Sequence, residues 1–262
     1  MSYMKNFILN VLKRKYFFVT IKKIFRKFEK NNSIEAKKWA KLNTKCDTEK
    51  LCRSIDTLLF DEILIDVQAM EKYAKDKLSK LKVTLGGGGN YILLYFLIRK
   101  FKLTNVVETG VAAGWSSLAI LRAFKKNGMG NLYSSDFPYY RLEKPEQYIG
   151  ILAKNETNIS NWYLDIEGDD KALPEIFKRI GENNIDLIHY DSDKTYNARN
   201  KALKILNPKI NFQTIIIFDD IQDNLHFKDL VEKTKEKFCV LEFQDKYIGI
   251  IGNELFFDNF IR

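Results

Sequence analysis

A chain of 262 residues, 45% hydrophobic and 29% charged, has the make-up of a globular α/β domain with an extension. Its net charge of +9 sits at one end: residues 1–30 hold nine Lys/Arg against one acid, Glu29 (9 − 1 = +8), so the remainder is near neutral and no nucleic-acid-binding surface is expected across the fold. Three cysteines without framework spacing (Cys46, Cys52, Cys239) and two histidines (His189, His226) point to a reducing compartment and away from a Cys/His zinc site, and no apolar run reaches the roughly 18 residues that span a bilayer.

In chain order, Met1 to Lys30 alternates apolar and basic clusters. At about 100° per residue, Phe17, Ile21, Ile24, Phe25 and Phe28 share one face and Lys22, Lys23, Arg26, Lys27 and Lys30 the other. This reads as a basic amphipathic helix, suited either to an anionic membrane surface or to packing on the domain or a second subunit. Lys13-Arg14-Lys15 interrupts its apolar part, so it does not read as a signal peptide. Asn31 to Arg53 is polar and lysine-rich, a linker with some helix. The boundaries expected are therefore a helical extension and linker over 1–53 and a catalytic domain over 54–262.

The spacing of Ile55, Leu58, Leu59, Ile63, Val67, Met70 and Leu78 predicts a long helix over Ser54–Leu81. Gly86-Gly87-Gly88-Gly89 breaks it, as a hinge or as a loop closing over ligand, and Asn90 caps a helix over Tyr91–Lys100. The centre of the chain follows: Val106-Val107-Glu108-Thr109-Gly110-Val111-Ala112-Ala113-Gly114-Trp115-Ser116-Ser117. It reads as a short buried strand, a small-residue turn and a helix from Ser116 to Phe124, the opening unit of a nucleotide-binding α/β sheet. Glu108 is unusual there, because a carboxylate repels phosphate and attracts positive charge.

Further strands are predicted at Asn131–Asp136, Asn161–Ile166, Ile185–Asp191 and Thr214–Phe218, with helices over Glu175–Ile180, Asn197–Leu206 and Leu225–Lys237. Cys239–Phe243 and Tyr247–Ile251 close the chain as an antiparallel hairpin. The expected fold is α/β: a Rossmann-like, doubly wound, mostly parallel sheet of seven strands with one antiparallel strand at its end, plus the N-terminal helical extension.

Ligands in such sheets bind beyond the carboxyl ends of the strands. Five of these ends carry acids: Glu108, Asp136, Asp169, Asp191 and Asp219-Asp220. Singly, Asp136 is a ribose acceptor or a turn residue before Pro138, and Asp169 an adenine contact or a helix cap. Together they form an acidic rim that suits a sulfonium or a metal ion and repels a phosphate-rich nicotinamide cofactor. Asp191, Asp219 and Asp220 are oxygen ligands of the kind that suit Mg²⁺, Mn²⁺ or Ca²⁺. Lys194, three residues after Asp191, is a proton acceptor if its environment lowers its pKa, or else half of a solvated pair with Asp193 capping the next helix.

These residues resemble the class I S-adenosylmethionine-dependent methyltransferases. The likeness is greatest to a bacterial methyltransferase-24-like family carrying G-G-G-G-N-Y, V-V-E-T-G-V-A-x-G-x-S-S, L-Y-S-x-D, H/Y-D-S-x-K/H-T-Y and D-D-I-x-x-N, over about residues 85 to 252. The resemblance implies that Glu108, Gly110 and Gly114 line the methionine part of the cofactor, that Asp136 holds its ribose, that Asp169 lies by its adenine, and that Ser116 is a further cofactor-binding residue. The related cation-dependent O-methyltransferases imply Asp191, Asp219 and Asp220 as metal ligands and Lys194 as the base. Their Asp-Asn pair matches Asp219-Asp220 only partly. The implied activity is methylation of a hydroxyl on a small molecule or glycan, in the cytoplasm or at the inner face of the membrane. A metal-independent methyltransferase on another acceptor, a nicotinamide oxidoreductase and a membrane-associated non-catalytic protein stand as alternatives. Membrane contact through residues 1–30 and assembly into a homo-oligomer are further expectations.

Overall fold

The computed structural model describes residues 32–139, 141–156, 161–252 and 257; the basic amphipathic segment 1–30 lies outside them. Among the described residues, eight strands pair into a single sheet. They are β1 (Thr44–Asp47), β2 (Asn105–Thr109), β3 (Asn131–Ser135), β4 (Trp162–Asp165), β5 (Leu187–Tyr190), β6 (Ile215–Phe218), β7 (Phe238–Phe243) and β8 (Lys246–Ile251). Their order is β1-β7-β8-β6-β5-β2-β3-β4. Every pairing is parallel except those of β8 with β6 and with β7.

The core strands are apolar on both faces, so helices must cover both. One face buries Val106, Leu132, Leu187, Ile215 and Ile217 under α2 (Thr48–Ser79), α3 (Tyr91–Phe101) and α4 (Trp115–Asn127). The other buries Val107, Tyr133, Ile188, Tyr190, Ile216 and Phe218 under α5 (Asp169–Ile180), α6 (Tyr196–Leu206) and α7 (His226–Thr234), with α1 (Ser33–Asn43) adding Trp39 and Ala40. This is the doubly wound arrangement expected from the strand–helix alternation.

Three features differ from the sequence reading. The stretch before residue 54 is not merely a linker: Thr44–Asp47 adds an eighth strand, pairing in parallel with β7, and Asp47 caps α2 by accepting from the Lys50 N–H at 2.8 Å. The long helix breaks at Asp56, whose backbone is extended and whose carboxylate accepts from the Leu59 N–H, restarting the helix close to its predicted origin. The antiparallel strand β8 also lies inside the sheet, between β6 and β7, rather than at its end. The hairpin thereby presents β7 as a free edge on which β1 docks.

Candidate active site

Side-chain parity places the chemistry. In register across the sheet, Ser134 of β3, Glu108 of β2, His189 of β5 and Ile217 of β6 stand side by side. Parallel neighbours in register point to the same face. Two residues on, at the carboxyl ends of β5 and β6, Asp191 and Asp219 emerge on that same face.

Gly110 and Gly114 both adopt positive φ (+83° and +94°), which lets the chain turn sharply from β2 into α4. At Gly110 a Cβ would run into the backbone carbonyl of Asp191, and at Gly114 one would lie 2.8 Å from the Cα of Gly150. Asp136 holds this turn: its carboxylate accepts from the N–H groups of Val111 (3.1 Å), Ala112 (2.7 Å) and Phe137 (2.5 Å). Burial nevertheless raises its pKa to about 6.

Beside it, Asp169 opens α5 and accepts from the hydroxyls of Ser135 (2.7 Å) and Ser192. The cleft between these groups has a volume of about 430 Å³. Gly110, Ala112, Asp136, Phe137, Asp169 and Asp191 line it, along with Lys194. Three of the five expected strand-end acids thus share one cavity wall.

Glu108 lies behind that wall, fully buried. Its Oε2 accepts from Ser117 (2.6 Å) and Ser134 (2.8 Å), while Oε1 has no partner. Trp162 in turn donates to the Ser134 hydroxyl at 2.9 Å. Ser116 is buried in the first turn of α4, but the helix-start hydroxyl that meets Glu108 belongs to Ser117.

At the far end, Lys194 donates to Asp191 Oδ1 at 2.5 Å and to Asp220. Burial alone would favour a neutral amine, but these two carboxylates outweigh it and push the Lys194 pKa up. The condition that the sequence reading set for a resting-state base is therefore not met: Lys194 rests as an ammonium. Burial, followed by repulsion from Asp219, lifts the Asp191 carboxyl to about 6.

Asp220 is held by Lys194, Lys246 and Gln222, in a left-handed backbone conformation that turns it away from Asp219. The donor cluster among the described residues is instead His189, Asp191 and Asp219, with ligand atoms all within 4.8 Å of one another. His189 went unnoticed in the sequence, where two histidines only argued against zinc. Its parity with Asp191 was the available signal.

Residues 107–221, the stretch holding all of these groups, match the model of a family described as a methyltransferase domain. Over this stretch the chain is similar to a methyltransferase domain. Three solved structures share the fold with it. The O-methyltransferase from Bacillus cereus in complex with SAH is 16% identical, with a TM-score of 0.51 over 74% of this chain and 90% of that one. The O-methyltransferase TomG from Streptomyces achromogenes, involved in tomaymycin synthesis and in complex with SAM, is 13% identical, with a TM-score of 0.51 over 71% and 89%. The SAH-bound methyltransferase PaMTH1 from Podospora anserina is 12% identical, with a TM-score of 0.51 over 71% and 88%. No curated protein matches the chain.

The glycine run before α3 lies on this face of the sheet. The four-glycine run precedes α3, whose cap is Asn90, accepting from the Leu93 N–H at 3.1 Å. Gly88 packs on the Trp115 side chain, and Gly89 packs on His189 and Asp219. Gly88 and Gly89 thus lie close to the strand ends, while a Cβ at Gly86 or Gly87 would meet nothing within 4 Å. Among the described residues no helix is long and apolar enough to cross a membrane.

Proposed function

We propose that this domain transfers the methyl group of S-adenosylmethionine to a hydroxyl oxygen of a small molecule or glycan. The observation that carries this reading is the single cleft where the β2–α4 glycine turn, Asp136, Asp169 and Asp191 converge. The family match to a methyltransferase domain supports it, as do the SAM- and SAH-bound O-methyltransferases of the same fold.

Gly110 and Gly114 let the turn pass close to the Asp191 and Gly150 backbones beside the cleft, and Asp136 keeps acceptor capacity for ribose hydroxyls beyond its three N–H donors. Asp169 and Phe137 form the adenine end. Glu108, with one buried oxygen lacking a partner, supplies negative potential behind the sulfonium, and Ser117 and Ser134 fix its orientation. Much of the rate would come from alignment of the acceptor oxygen with the methyl carbon and sulfur.

Asp191 and Asp219 would hold a divalent cation, and their clustered donor atoms, one of them the orphaned Oδ1 of Asp219, fit such an ion. Bound there, it would acidify the acceptor hydroxyl. Lys194, resting as an ammonium, stabilises the developing oxyanion; it takes the proton only if its carboxylate partners are drawn off. Residues 1–30 would bring the enzyme to an anionic membrane surface from the cytoplasmic side.

Calorimetric titration with S-adenosylmethionine and NAD, followed by a labelled-methyl screen over sugar and phenol acceptors with and without chelator, tests this reading. Binding of the first ligand only, with label transferred to an oxygen, is expected. Binding of NAD alone would overturn it.

A further inference from the structure

We infer that His189 is itself a metal ligand, so that the cleft holds a mixed nitrogen–oxygen site selecting a first-row transition ion over Mg²⁺ and Ca²⁺. The inference rests on the reading of Asp191 and Asp219 as cation ligands and adds an imidazole to them.

His189 is completely buried in the sheet, yet neither Nδ1 nor Nε2 has a hydrogen-bond partner. Buried polar groups are ordinarily hydrogen-bonded; His226 is also buried and unpartnered, but it is His189 whose donor atom lies within 4.8 Å of two carboxylates. Here Asp219 Oδ1 lies 3.5 Å from Nε2, an ion pair when the imidazole is protonated, and makes no hydrogen bond elsewhere. Two donor atoms sharing one ion at bonds of about 2.0–2.2 Å stand roughly 3–3.5 Å apart, so this separation suits two ligands of one ion better than a hydrogen bond.

Parity supplies the third ligand. His189 and Asp191 are two residues apart, on the same face, and all three residues offer atoms within 4.8 Å of one another. Asp220 is held by two lysines and a glutamine amide, whereas Asp191 meets Lys194 alone through one oxygen. Neutral imidazole is a good ligand for Mn²⁺, Fe²⁺, Co²⁺ and Zn²⁺ and a poor one for Mg²⁺ and Ca²⁺, which want oxygen throughout. Replacing an oxygen by this nitrogen therefore changes which ion the site selects.

The test uses the tag-free full chain, with Mn²⁺ as probe and no methyl donor present. Pulsed electron paramagnetic resonance of bound Mn²⁺ should show modulation from the remote nitrogen of a coordinated imidazole. With two histidines in the chain, the modulation should persist in His226→Gln and vanish in His189→Gln. If His189→Gln does not fold, persistence in His226→Gln assigns the nitrogen by elimination. Co²⁺ or Zn²⁺ should displace Mn²⁺ near stoichiometric concentration, and Mg²⁺ should fail to at 100-fold excess. Bound Mn²⁺ without imidazole modulation, displacement by equimolar Mg²⁺, or no Mn²⁺ binding at all would each overturn the inference. A chain with a nitrogen-coupled ion but no affinity for S-adenosylmethionine would instead refute the methyl-transfer reading alone.

Discussion

Gly89 is pressed against His189: a Cβ at Gly89 would lie 2.6 Å from the imidazole Nε2 and 2.8 Å from Asp219 Oδ2. Gly86 and Gly87, in the same run, have nothing within 4 Å of such a Cβ. The four glycines are therefore not equivalent. Gly89→Ala should destabilise the fold by about 1–3 kcal/mol through overpacking and lower kcat/KM at least tenfold as the glycine run lifts. Gly87→Ala should leave stability unchanged or raise it by about 0.5 kcal/mol from reduced chain entropy, with Tm level or slightly higher. Parallel melting curves and steady-state kinetics of the two variants decide the matter, and equal effects would show that the glycine run does not rest on the strand ends.

Asp136 gives a pH dependence whose sign is fixed. Its pKa in the folded chain is raised by burial to about 6. Ribose hydroxyls donate to the ionised form, so affinity for S-adenosylmethionine should be flat above pH 6 and fall as pH drops below it. The effect on stability runs the opposite way. A carboxyl with a raised folded pKa contributes stability that is fully present below its unfolded value near 4 and is lost as pH rises through 6, about 3 kcal/mol in all. Asp136→Asn should flatten both profiles and weaken binding at neutral pH, since an amide places donors against backbone N–H groups. Calorimetry and denaturant titrations between pH 4 and 8 measure the two effects separately.

Much of this site is legible in the sequence because strand ends are. Glu108, Asp191 and Asp219 each follow a mostly apolar run whose flanking turns locate the sheet's carboxyl edge, and Asp136 closes the run Asn131–Ser135. What local pattern does not carry is pairing. Thr44–Asp47 is four residues with two of them exposed, and it becomes a strand only because the closing hairpin leaves β7 an open edge. His189 likewise looks like one more residue of an apolar strand. Its role follows from register with Glu108 and Ile217, a relation between residues some 80 and 30 positions apart in the chain. Asp220 shows the limit of spacing: it neighbours Asp219, but a left-handed backbone points it at Lys194 instead.

Lys194 bridges Asp191 and Asp220, and its charge and its shape can be separated. Lys194→Arg keeps a cation between the two carboxylates but offers neither a compact donor nor a titratable amine. The variant should fold and bind S-adenosylmethionine within about threefold of the parent while kcat falls about 100-fold or more, the scale of a lost oxyanion donor. A kcat near that of the parent would reduce Lys194 to a structural clamp.

The basic N-terminal segment makes a prediction independent of the cleft. Replacing Lys22, Lys23, Arg26 and Lys27 with Gln should weaken binding to vesicles rich in anionic lipid by about 100-fold or more, at about 1 kcal/mol per charge near the surface. The affinity for S-adenosylmethionine should not move. Equal partitioning of parent and variant in a vesicle sedimentation assay would remove the membrane from the proposed function.

Glu108 offers the most direct test of what the acidic strand ends are for. Its carboxylate is fully buried, oriented by Ser117 and Ser134, and left with one oxygen unpartnered. A buried carboxylate so placed costs stability unless something positive faces it. S-adenosylmethionine carries a sulfonium and its product a neutral thioether, while the two share adenine, ribose and amino acid groups. Glu108→Gln preserves shape and both serine contacts but removes the charge. It should weaken S-adenosylmethionine by about tenfold or more, the worth of about 1.4 kcal/mol for a charge-assisted contact, while the product's affinity changes by less than about threefold. The discriminating quantity is the ratio of the two dissociation constants in the variant against that in the parent, which cancels any general damage to the pocket. A ratio that stays fixed would mean that Glu108 holds the β2–α4 turn in place and does not read the ligand's charge.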